Sequence, residues 1–120
     1  MSELCSLIGK PWAVPCDPPN SFDCWELVRY VRAIYGLVTP SVIDVSERAP
    51  KHRKHITNPP VGWLKLSEVV DHCVVRMGGT HVGLYLGRGN IIHAQLGHGV
   101  RIDHVRFITE PITFWERVDD

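Results

Sequence analysis

Cys24 stands in the stretch SFDCWELVRYVRAIYG, residues 21–36, at the point where an amphipathic helix begins. A thiol attacks as its thiolate, and a free cysteine is mostly protonated at neutral pH. The first turn of a helix offers unpaired N–H groups and the positive end of the helix dipole, both of which favour S⁻. That position predicts an ionised nucleophile at Cys24, whose neighbouring N–H groups would then hold a developing oxyanion. A nucleophile needs a base, and the base needs an orienting group. The segment THVGLYLGRGNIIHA, residues 80–94, supplies two imidazoles, His81 and His93. On an outgoing strand Val82, Leu84 and Leu86 form one face, and His81, Gly83 and Tyr85 the other. The even separation of 12 between the histidines puts them on one face only if the connection has odd length or carries a bulge, and Arg88-Gly89-Asn90 would make a three-residue turn. Gly83 leaves space beside His81 that would suit the approach of a helix end.

The remaining candidates read as structural. Cys5 and Cys16 have neither a helix start nor a flanking base, Cys73 lies mid-strand and reads as a packed thiol, and the four cysteines are too few and too irregular for a disulfide framework. No C-x-x-C pair is present, and the Cys and His spacings fit no zinc pattern, so no metal or organic cofactor is expected. His72, His98 and His104 stay open as alternatives to His93. The charge run KHRKH at 51–55 reads as a solvated loop.

The elements that must position these groups follow from periodicity. Residues 3–9 suggest a short helical turn ended by Gly9 and Pro11. Residues 10–23 hold four prolines and read as an ordered loop. Over 24–35 the apolar residues Leu27, Val28, Val31, Ile34 and Tyr35 recur at helical spacing, with Glu26, Arg29 and Arg32 as the wet face. Asp23 and Glu26 form an Asp version of the capping box, and Gly36 closes the helix. Residues 37–60 read as loop and 61–70 as a short helix or turn. From Asp71 the period becomes two, and HCVVRM, THVGLYLG, NIIHAQ, GVRIDHVRF and ITFWERV read as strands of a meandering sheet. A helical front half followed by strands predicts an α+β fold in a single domain, 1–120.

Bulk properties narrow the function. The 120 residues carry 13 basic and 13 acidic side chains, which argues against a dedicated nucleic-acid binder. No apolar run approaches the roughly 18 residues that a membrane helix needs. The start MSELCSLIGKPW has no signal-peptide pattern, so synthesis in the cytoplasm without export is the expectation.

Three separated motifs in order, LIGKPW at 7–12, FDCWELVRYV at 22–31 and HVGLYLGRGNIIHA at 81–94 with the following Gly99-Val100, resemble the NlpC-type cell-wall cysteine peptidases. The resemblance covers nearly the whole chain. It implies a papain-like fold and cleavage of peptide stems of bacterial peptidoglycan, with Cys24 as nucleophile, His81 as general base and His93 as the group orienting it. It also implies that Asp23 helps to recognise the free amine of the stem, and that Trp12 falls where many members place a Tyr near the oxyanion site. Trp25-Glu26 and Pro15-Cys16 depart from the usual Ser-Gly and Gly-Gly, and Trp25 is expected to narrow a substrate subsite. The form DCWELVR looks most like copies among phage tail proteins, so a tail-mounted enzyme in the virion is expected. A tail-tip part without turnover, and an intracellular amidase or acyltransferase, remain the alternatives.

Overall fold

The computed structural model describes residues 2–39, 63–79 and 81–117. Among the described residues two helices, α1 (Ser2–Leu7) and α2 (Cys24–Ile34), precede six strands: β1 (Trp63–Lys65), β2 (Val74–Met77), β3 (His81–Gly87), β4 (Asn90–Gln95), β5 (Gly99–His104) and β6 (Ile112–Arg117). A 3-10 turn at Val105–Phe107 follows β5. The charge run at 51–55 lies outside the described residues. No helix among the described residues is long and apolar enough to cross a membrane.

The α+β reading holds, and the chain has a papain-like fold, but the sheet is not a plain meander. Its order is β1-β6-β2-β3-β4-β5, all pairs antiparallel. Only β2 to β5 follow one another; β6 returns to lie between β2 and β1. The stretch 61–70, expected as helix or turn, instead carries β1, because Trp63, Leu64 and Lys65 pair with Arg117, Glu116 and Trp115.

α2 forms where its stripe and caps place it. The Asp23 carboxylate accepts from the Glu26 N–H at 2.7 Å, satisfying one of the orphan donors of the first turn. The reciprocal half of the capping box is absent, since the Glu26 carboxylate turns to Arg29 at 2.8 Å. At the other end Gly36 adopts φ 78°, and the N–H groups of Gly36 and Leu37 reach the Ala33 and Arg32 carbonyls at 3.0 and 2.9 Å, a Schellman closure. Leu27, Val28 and Val31 are fully buried against Val82, Leu84, Ile92, Ala94 and Val100 on one face of the sheet. Alternation sends Val75, Met77, Tyr85 and Ile91 to the other face, where they meet Ile108, Ile112 and Phe114.

Arg32 is not on a wet face. It is 2% exposed and spans from helix to sheet: its Nε donates to Thr39 Oγ1 at 2.8 Å, and Nη1 donates to the His72 carbonyl at 2.7 Å and to Glu116 at 3.2 Å. Its guanidinium also lies 5.7 Å from the Trp63 ring centroid. An arginine is tolerated there because its donors are matched by acceptors from three separate segments.

Candidate active site

Both histidines come from the central hairpin. Gly87 pairs with Asn90 across a two-residue turn, Arg88-Gly89; both turn residues and the preceding Gly87 have positive φ. Between Tyr85 and Gly87 the register shifts, so that Tyr85 faces Ile91 and Leu84 faces Ile92. The bulge at Leu86, together with a turn shorter than the expected three residues, gives the hairpin the parity that puts His81 and His93 on one face. His81 Nε2 lies 2.8 Å from His93 Nδ1. The His93 ring is buried at 3% exposure, and its Nε2 lies 2.8 Å from Asp103 Oδ2 on β5. Asp103 in turn meets Arg101 at 3.0 Å. Sequence reasoning missed Asp103. The signal was its place two residues after Arg101 on one strand face, but only the β4–β5 register brings that face to His93.

The registered pairs of β3 and β4 end at Leu84 and Ile92, short of both histidines. Gly83 sits in this stretch, and the space beside it is taken by β4 and not by a helix end. A β-carbon there would lie 2.8 Å from the Ile92 carbonyl oxygen and 2.9 Å from the His93 Cβ.

The Cys24 thiol, the first residue of α2, packs half-buried against the helix-side core. Its sulfur is faced by the N–H groups of Val82, Cys24 and Trp25. Val82 directly follows His81, so the thiol and the imidazole meet the same short piece of β3. The expectation that the helix end ionises this thiol is corrected. Burial pushes Cys24 up to about 11, the Asp23 carboxylate adds to the rise, and the three N–H groups only partly offset them. His81 moves the opposite way, down to about 4, through burial and then the neighbouring His93, with Glu110 opposing. Both shifts favour the uncharged forms, a thiol at Cys24 and a neutral imidazole at His81.

The other expected site residues fall at the start of α2. Trp12 forms a parallel bridge with Phe22, and the Phe22 N–H donates to the Pro11 carbonyl at 3.0 Å, which ties the proline-rich loop to the residues just before Cys24. Asp23 is occupied as the helix cap, and the Cys16 thiol approaches its second oxygen at 3.9 Å. Trp25 turns inward: it is 6% exposed and meets Trp63 edge to face at 5.9 Å, so it packs the core and does not wall a subsite. Of the alternative histidines, His72 stacks on Tyr35 and His104 caps the 3-10 turn through Nδ1, while His98 is exposed in the β4–β5 turn. Cys73 is fully buried, as expected, whereas Cys5 is exposed on α1.

A cleft of about 320 Å³ opens beside the imidazoles, lined by His81, His93, Gln95, Arg101, Asp103 and Glu110 among others. Among the described residues no group of three or more His, Cys, Asp or Glu is arranged to hold a metal ion. What the imidazoles and the carboxylate around this cleft offer is acid–base chemistry.

Comparison with known proteins supplies the family and the fold. A probable endopeptidase of Corynebacterium glutamicum (strain R) is 32% identical over 87 residues, 72% of this chain and 37% of that protein, so the chain spans little more than a third of its length. An NlpC protein of Trichomonas vaginalis superposes with a TM-score of 0.68 at 18% identity, over 98% of this chain and 45% of that one. The NlpC/p60 domain of the peptidoglycan hydrolase SagA gives 0.61 at 23% identity, over 94% and 92% of the two chains. These two structures speak for the fold alone. The family model described as NlpC/P60 matches residues 9–113, and the chain belongs to that family.

Proposed function

We propose that the chain is a cysteine peptidase or amidase that hydrolyses amide bonds in the peptide stems of bacterial peptidoglycan, with Cys24 as nucleophile, His81 as general base and acid, and His93 orienting His81. The observation that carries this reading is the 2.8 Å His81–His93 contact on the strand whose next residue, Val82, presents its N–H to the Cys24 sulfur. Membership of NlpC/P60, and the words endopeptidase and peptidoglycan hydrolase in relatives' names, support the substrate class.

The reaction begins from the neutral pair. As the Cys24 sulfur attacks the scissile carbonyl carbon, its proton passes to His81, and the carbonyl oxygen becomes an oxyanion held by the Cys24 N–H. The imidazolium then gives that proton to the leaving amine as the C–N bond breaks. Water enters, loses a proton to His81 and attacks the thioester carbon; the C–S bond breaks, and the thiol and the carboxylic acid are regenerated. The burial that raises the thiol's pKa makes this concerted transfer the easier route than a preformed ion pair. Asp23 and Trp12, at the start of α2, are the proposed contacts for the free amine end of the stem. A setting on a phage tail rests only on the DCWELVR motif, and mass spectrometry of purified virions tests it.

The test of the activity is hydrolysis of a γ-D-glutamyl–diaminopimelate stem peptide by the wild type and by Cys24→Ala. Turnover by the wild type alone is expected. Equal rates would overturn the assignment.

A further inference from the structure

His81, His93 and Asp103 stand on three successive strands and one face of the sheet, each diagonal to the next. Asp103 faces Ile91 and Arg101 faces His93 across the β4–β5 ladder, so Asp103 reaches His93 along the diagonal. An ionised carboxylate only accepts hydrogen bonds, and a neutral imidazole has one N–H and one lone pair. For two neutral rings these two facts and the two contacts fix where the protons sit. Asp103 Oδ2 accepts, so the proton of neutral His93 is on Nε2. His93 Nδ1 then bears a lone pair, so the bond to His81 must be donated by His81 Nε2. The nitrogen left on His81 with a lone pair is Nδ1.

We propose that Asp103 is a positioning residue that sets the tautomer of both imidazoles, directly for His93 and through His93 for His81, leaving His81 Nδ1 as the free base for the thiol. The carboxylate is built for this task. Arg101 donates to both of its oxygens, at 3.0 and 3.2 Å, from the same strand face. Burial alone would raise its pKa, yet hydrogen bonds from His93 and Arg101 outweigh that and hold it below the usual carboxyl value. The charged or titratable groups facing the pair are His81 from β3, Asp103 and Arg101 from β5, and Glu110 from the segment before β6. A solvated surface ion pair between Arg101 and Asp103 needs no buried imidazole, whereas here the ring between the carboxylate and His81 is 3% exposed.

The consequence for turnover rests on the function proposed above; the tautomers do not. The experiment is long-range ¹H–¹⁵N correlation of the imidazoles of the full chain at neutral pH, in wild type, Asp103→Asn and Asp103→Leu, with iodoacetamide labelling of Cys24 alongside. In the wild type both His81 and His93 are expected as the neutral, Nε2-protonated form. Asp103→Asn retains an acceptor and is expected to keep these forms. Asp103→Leu is expected to mix the His93 tautomers and to slow both Cys24 labelling and stem turnover, roughly tenfold to a hundredfold, with KM unchanged. A wild-type spectrum with Nδ1-protonated or cationic His93 overturns the proposal, and that spectrum decides the matter even if Asp103→Leu does not fold. Unchanged tautomers and labelling in a folded Asp103→Leu also overturn it. A chain with the expected tautomers but no stem hydrolysis removes the proposed activity and leaves this assignment standing.

Discussion

Gly83 and His93 are neighbours that share one space: a β-carbon on residue 83 would come within 2.9 Å of the His93 Cβ and 2.8 Å of the Ile92 carbonyl oxygen. The backbone oxygen cannot rotate away, so β4 must shift. Gly83→Ala is expected to cost about 1–3 kcal/mol of stability, as overpacking does. It should also lengthen the His81–His93 contact and cut turnover more than tenfold at temperatures where the protein stays folded. Chemical denaturation paired with stem-peptide kinetics checks both.

The raised thiol and lowered imidazole predict how Cys24 reacts. With its pKa near 11, about one thiol in 10⁴ is ionised at pH 7. The rate of iodoacetamide labelling should therefore climb about tenfold per pH unit from 7 to 10. A plateau between pH 5 and 8, the mark of a preformed thiolate–imidazolium pair, would contradict this account.

Acid should weaken the fold through His81 before it does so through Asp103. The His81 pKa is depressed in the folded state, from 6.5 to about 4, so above pH 6.5 the ring is neutral whether folded or not and its contribution is fully present. Between 6.5 and about 4 the unfolded chain takes up a proton that the folded one refuses, and stability falls. Asp103 is a depressed acid, so its contribution is lost only below its ordinary value of 3.8. Urea unfolding from pH 7.5 to 4.5 should show a decline that is shallower in His81→Gln.

Arg32 joins α2 to the sheet, and its loss should be felt globally. Arg32→Ala leaves Thr39 and the His72 carbonyl short of their donor and removes the cation from the Trp63 face. A destabilisation of about 3 kcal/mol is expected, and Arg32→Lys should recover only part of it because one ammonium cannot span these acceptors. Thermal melts of the three proteins provide the measurement.

What the sequence made readable was local. Asp23, the Leu27-Val28-Val31 stripe and Gly36 mark α2 because caps and periodicity depend on residues a few positions apart. The strand segments from residue 74 onward show in their period-two pattern, and NIIHAQ coincides with β4. The misses all needed partners from elsewhere. Arg32 looks exposed on a helical wheel, and only Glu116, 84 positions away, and the His72 carbonyl make it a buried residue. Trp25 looked like a cleft residue until Trp63 met it. The charge state of Cys24 was misjudged because a helix start is visible in sequence, while the desolvation that outweighs it is a property of the packed protein. Asp103 went unseen because strand alternation gives its face but not the register that brings that face to His93.

The insertion of β6 between β1 and β2 has a consequence for the order in which the protein assembles. As the chain leaves the ribosome, β2 to β5 can zip together from hairpin to hairpin, carrying both imidazoles and the carboxylate into line. Trp63–Lys65 can join the sheet only after residues 112–117 have emerged to pair with it on one side and with β2 on the other. The side of the sheet that carries His81, His93 and Asp103 is thus an early product of synthesis. The sheet edge nearest Trp25 and Arg32 is a late one, and nascent chains halted before residue 112 should expose it to proteases.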